Sequence, residues 1–112
     1  MLAYHVTEKD SLDSILEEGL VPRTGPRSEL LGEKRDSVFL FTSFENMENA
    51  LYNWLGEVFE EEEEQAGIEI KHVALQVEIG DEFFIDPDDL YEIAYPYVIP
   101  PEDITVLDYQ VD

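Results

Sequence analysis

Four consecutive apolar residues, Val38-Phe39-Leu40-Phe41, stand in a chain in which 28 of 112 residues are acidic. A solvated surface segment is not built that way, so the run reads as a buried strand. The next residues are equally constraining. Thr42-Ser43-Phe44-Glu45 has the form of a capping box and opens a helix. Met47, Ala50, Leu51, Trp54, Leu55, Val58 and Phe59 then recur at three- and four-residue spacing. Such a stripe must lie against a sheet or another helix.

The flanking segments fall into place around this centre. Leu2–Thr7 alternates enough to be a short strand, and the oxygens between Thr7 and Ser11 can cap a helix. Ser11–Glu18 sets Leu12, Ile15 and Leu16 on one face, Gly19 ends it, and Pro22 forbids continuation. Residues 22–37, with Gly25, Pro26 and Gly32, read as a long loop. Glu60–Glu64 repel one another at the negative end of the helix dipole, so that last turn is expected to fray before Gly67. His72–Ile79 alternates, with Val73, Leu75, Val77 and Ile79 on one side. Phe83–Ile85 reads as a short strand, Pro87–Leu90 as a turn and Tyr91–Ile93 as extended. Pro100 and Pro101 break the path before a final strand over Ile104–Tyr109. The expectation is a single α+β domain over residues 1–112, two early helices and then a meander of strands packed on them.

Charge limits what such a domain can meet. The net charge is −22, yet Arg23, Arg27, Lys34 and Arg35, four of the six cations, fall within residues 22–36 against three acids. The rest of the chain has two cations against 25 acids. That body repels nucleic acid and anionic membrane, while the loop could hold one small anion such as a dinucleotide pyrophosphate. The acidity could equally belong to a salt-rich host, to a solvating segment, or to a surface that imitates nucleic acid, as phage-encoded inhibitors do. Hydrophobic content of 44% with thirteen aromatic residues excludes a wholly disordered acidic tail. No apolar run reaches the ~20 residues of a membrane span, and no leader pattern opens the chain, so a cytoplasmic protein is expected. Without cysteine there is no disulfide, thiolate catalyst or Cys-ligated zinc.

Three places could carry chemistry: His5 on the first strand, Thr42-Ser43 at the end of the second, and Glu92 near a late strand. With Ala3-Tyr4-His5-Val6-Thr7 and the stretch Ser14 to Pro22, their order resembles the ADP-ribosyltransferase fold, in its DarT-like and RNA 2′-phosphotransferase-like small members. Val38 to Ser43 is similar to that family's second core strand. Tyr91-Glu92-Ile93 followed by Val98-Ile99-Pro100-Pro101-Glu102-Asp103-Ile104 is similar to the segment with its catalytic glutamate. The resemblance implies two helices packed on a mainly antiparallel split sheet and NAD as substrate. It further implies Glu92 as the catalytic carboxylate and His5 as donor to ribose or nicotinamide amide. Thr42 and Ser43 would line the pocket, Tyr52 or Phe41 would stack on the ring, and Arg23, Arg27 or Arg35 would meet the phosphates. Chemically this is coherent, because breaking a ribosyl bond builds an oxocarbenium-like sugar that a carboxylate stabilises.

Plainer readings stand beside these roles. His5 could be a structural histidine of a small core, and Thr42 and Ser43 are explained by capping. Glu92 is one of many acids, Tyr52 reads as a half-buried tyrosine, and His72 as an exposed residue without a role. Asp81, Asp86, Asp88 and Asp89 lack the glycine and terminal glutamate of a calcium loop, and no metal site is expected. The charge disfavours a nucleic-acid target, and the arginine set of a 2′-phosphotransferase is absent. A protein or small-molecule acceptor therefore fits an active enzyme. The alternative is an inactive scaffold of the same fold whose acidic surface occupies a basic nucleic-acid-binding protein.

Overall fold

The computed structural model describes residues 1–22, 37–86, 89–109 and 111, and the four cations of the basic loop lie outside them. Among these residues six strands form one antiparallel sheet: β1 (Leu2–Glu8), β2 (Val38–Phe41), β3 (His72–Glu78), β4 (Phe84–Asp86), β5 (Asp89–Tyr95) and β6 (Ile104–Val106). Their spatial order is β4-β5-β2-β1-β3-β6. The joints are unequal. β1 pairs with β3 over seven residues and β2 with β5 over four, but β1 meets β2 through the single pair Tyr4↔Phe41. Two three-stranded leaves therefore share one rung.

Strand alternation divides the apolar residues between two cores. Ala3, Val38, Leu40, Leu75, Val77 and Ile93 point to one face, where they pack with Ile15 of α1 (Leu12–Glu18), Leu20, Ile99 and Ile104. Phe41 and Ala74 point to the other, under Met47 and Ala50 of α2 (Phe44–Tyr52) and Leu55 of α3 (Trp54–Ala66). The C-terminal Leu107, Tyr109 and Val111 close this second core. A 3₁₀ turn, Lys9–Ser11, leads into α1 without a side-chain cap bond from Ser11. Gly19 has φ +86°, and a Cβ there would run into the Ile99 carbonyl oxygen. That close approach lets Leu20 exchange two backbone hydrogen bonds with Ile99, each 2.9 Å.

Several expectations change. The single helix expected after β2 is two, because Asn53 takes φ −120° and ψ −116° between them. Across that break a Cβ on Gly56 would run into the Leu51 carbonyl oxygen, so the two helices pass closely only with glycine there. The break turns Trp54 and Val58 to exposed positions, and Tyr52 is 80% exposed rather than half-buried. α3 does not fray at Glu60–Glu64: it runs to Ala66 and ends on Gly67 in the left-handed conformation. Like charges at helical spacing cost only a few tenths of a kcal/mol each, and glutamate is a good helix former. Glu63 also accepts a 3.1 Å bond from the Ile70 amide, tying the helix end to the next strand. The last strand stops at Val106, and β5 begins at Asp89, so Asp89–Leu90 is strand while Pro87 and Asp88 lie outside the described residues.

His72 is half-buried rather than exposed. Its ring stacks on Phe59 at 3.7 Å and 16°. Burial lowers its pKa from 6.5, with Glu62, Glu8 and Glu63 and a bond to the Ile70 backbone pulling the other way. Among the described residues no helix is long and apolar enough to cross a membrane.

Candidate functional site

The site grows from the ends of β2 and β5. Ile93 pairs with Leu40 and faces the first core, so alternation sends Glu92, paired with Phe41, to the opposite face beneath the helices. Glu92 is 8% exposed there, and it lies with Ser37 as one of two buried polar residues among those described. One rung beyond, the Thr42 amide donates to the Tyr91 carbonyl at 3.1 Å, and the Thr42 hydroxyl reaches the same oxygen at 3.4 Å. Asn46 Nδ2 in turn donates to Thr42 Oγ1 at 2.8 Å. Thr42 thus links β5 to the first turn of α2. Ser43, one residue later than the expected capping box begins, is the helix cap: its Oγ accepts the Asn46 amide at 3.0 Å.

These restraints fix a cavity of about 330 Å³ between the sheet and the helices. Phe41 and Glu92 form its floor, and Ala50 lies among Asn46, Asn49 and Asn53 on the helical wall. Trp54 and Tyr91 flank the mouth, 42% and 64% exposed. The rings of Phe41 and Trp54 are 6.3 Å apart. A volume near the lower end of small-molecule pockets suits one substituted ring with part of a sugar, not a whole dinucleotide. Its chemistry is a carboxylate, three amides and aromatic surface, with no cation among the described lining residues. Hydroxyl groups and carboxamides suit the amides, and flat rings suit the aromatics.

Phe41 and Glu92 of the sequence-derived set line this cavity; Thr42 and Ser43 brace its wall through Asn46. Tyr52 is not among the lining residues and is largely in solvent. His5 is not in the cavity either. It pairs with Leu75, so its side chain leaves the sheet on the first-core face, opposite Glu92. Its Nδ1 lies 2.8 Å from the Phe39 carbonyl. A carbonyl only accepts, so that nitrogen carries the proton, and the bond stitches β1 to β2 where the ladder has one rung. Arg23, Arg27 and Arg35 lie outside the described residues.

The three asparagines were missed in the sequence. Asn46, Asn49 and Asn53 recur at three- and four-residue spacing, the same signal that marks the neighbouring apolar stripe. A second cavity of about 500 Å³ runs along α1, past Asp10, Ser14, Glu18 and Val21. Among the described residues no three His, Asp or Glu side chains are arranged to hold a metal ion. Compared with known protein families, with curated proteins and with solved structures, the chain matches none.

Proposed function

We propose that the protein is a small NAD-dependent mono-ADP-ribosyltransferase that modifies a protein or small-molecule acceptor, with Glu92 as its catalytic carboxylate. The observation that carries this reading is a buried carboxylate on the floor of a ring-sized cavity walled by amides and aromatic side chains. In the reaction the bond between the ribose anomeric carbon and the nicotinamide nitrogen breaks, and the nitrogen keeps the electron pair. The sugar passes through an oxocarbenium-like state that Glu92 stabilises by charge. The acceptor's nucleophile forms the new bond to the same carbon, and its proton passes to Glu92 and then to water. His5 acts here as a positioning residue that holds β1 against β2 through Phe39.

Glu92→Gln keeps the shape of the side chain and removes its charge. It should lower transfer of labelled ADP-ribose by about 10²–10⁴-fold while the variant still binds NAD and melts as a folded protein. Transfer that survives Glu92→Gln unchanged would sink the assignment, as would wild-type protein that shows no NAD binding at millimolar concentration.

The ordered end of α3 favours a second reading. Glu60, Glu61, Glu62 and Glu64 are exposed on a helix, a fixed rather than a frayed array of negative charge. Such an array suits a basic partner that otherwise grips nucleic acid. On this reading the protein displaces DNA from a basic DNA-binding protein, less effectively as salt rises. Changing the four glutamates to glutamine should weaken that displacement at least tenfold. Equal competition by the variant would exclude the helix end as the contact.

A further inference from the structure

The helical wall of the cavity has a chemistry that ring stacking and charge stabilisation leave unused. Three asparagines from one helix face and its end open on the same ring-sized space as Glu92. Their amides are not equivalent. Asn46 Nδ2 is engaged with Thr42, which holds that side chain still. Asn53 Nδ2 donates to the Asn49 backbone carbonyl at 2.6 Å, which fixes the side chain and leaves its amide oxygen to accept. Asn49, between them, is exposed on the cavity wall. We propose that Asn46, Asn49 and Asn53 are the specificity wall of this cavity, reading the carboxamide of the ligand's ring and rejecting the corresponding carboxylate. The proposal rests on the transferase reading and names what that site discriminates.

Donor and acceptor counts give the chemistry. A primary carboxamide offers two N–H donors and one acceptor oxygen, and an asparagine side chain offers the same set reversed. Two such groups pair at two points, each donating to the other. A ring carboxylate has acceptors only, so it can satisfy the asparagine donors but leaves the amide oxygens facing its own oxygens. It also brings a negative charge into a small space that already holds the Glu92 carboxylate, with no cation among the described lining residues. Trp54 and Tyr91 supply flat surface for the ring. Discrimination therefore falls to the amides and the carboxylate. A site built to hydrogen-bond one group rejects a look-alike far better than a site built on shape.

The test compares NAD, its nicotinic-acid analogue and ADP-ribose, which lacks the ring, by calorimetric titration of the whole protein. Wild type should prefer NAD to the carboxylate analogue by at least tenfold. Asn49→Ala should reduce that preference to about threefold or less and leave ADP-ribose affinity unchanged. Because Asn49 is exposed, this variant should fold as wild type does, which its circular dichroism and melting temperature report. Asn49→Asp adds charge to the wall and should weaken the carboxylate analogue about tenfold further. NAD binding with the same preference in wild type and Asn49→Ala would overturn the wall while leaving the transferase reading intact. Failure of NAD and ADP-ribose alike to bind wild type would overturn both.

Discussion

At the scale of single residues, His72 shows how a side chain's meaning depends on partners distant in sequence. It comes after Lys71 at a strand start, and nothing nearby in sequence announces burial. Phe59, thirteen residues earlier, covers its ring when α3 folds back over β3. Glu8 is its partner across the ladder, and Glu62 and Glu63 approach from the helix. Burial outweighs these carboxylates and holds the folded pKa below 6.5. The unfolded chain therefore binds a proton more readily than the folded one. The histidine's contribution to stability is whole above pH 6.5 and is lost as pH falls through the folded pKa. The proton-NMR titration midpoint of His72 should lie below 6.5, and wild type should lose stability relative to His72→Phe between about pH 7 and pH 5. A midpoint above the unperturbed value, or parallel stability profiles, would contradict this account. Glu92, one of 28 acids, is marked in the sequence only by the spacing that resembles the transferase segment, and on a strand such an acid faces either solvent or a cavity. Which one it is depends on whether a helix covers that face.

Among elements, β2 and the cap after it were the most legible, because an apolar run and a serine oxygen act on neighbouring residues. Ser43 does for α2 what its type suggests, by accepting the Asn46 amide. Ser43→Ala should cost about 1 kcal/mol, and Ser43→Asn should recover most of it. In a domain of this size that loss lowers the melting temperature by roughly 4–8 °C, measurable by thermal denaturation. No change in Ser43→Ala would mean that the Thr42–Asn46 bond alone holds the helix start. The break at Asn53 was not legible, because the residues on both sides favour helix and the apolar spacing runs through it. At the break Gly56 passes close to the Leu51 carbonyl, and Met47 before it and Leu55 after it reach the same core. The same break hid the asparagine wall, since one straight helix through Phe59 makes Trp54 a core residue instead of a rim. The persistence of α3 through its glutamates has an energetic reason. Screened repulsion in water is weaker than the propensity and end contacts that oppose it.

For the whole molecule, the α+β class could be read from periodicity, but the strand order, which is not the expected meander because β1 and β2 lie between β5 and β3, and the face on which each strand residue lies could not. One residue of register decides the face. His5 and Glu92 illustrate the limit: both sit on strands, at the expected places in order, and the sheet stands between their side chains. The charge was legible as a sum and as a contrast between loop and body, whereas its display on an ordered helix end required the fold. The one-rung joint between the two leaves has a further consequence, for how the chain is made. One leaf takes strands from residues 2–8, 72–78 and 104–106, the other from 38–41, 84–86 and 89–95. The leaves are neighbours in space but shuffled along the chain. As synthesis proceeds, β1 and β2 emerge first and belong to different leaves, so each waits without its long partner until more than half the chain has emerged. A ribosome pausing anywhere between residues 42 and 71 holds one strand of each leaf and neither leaf complete. Both leaves therefore depend on pairings between strands far apart in sequence, the kind of contact that forms slowly.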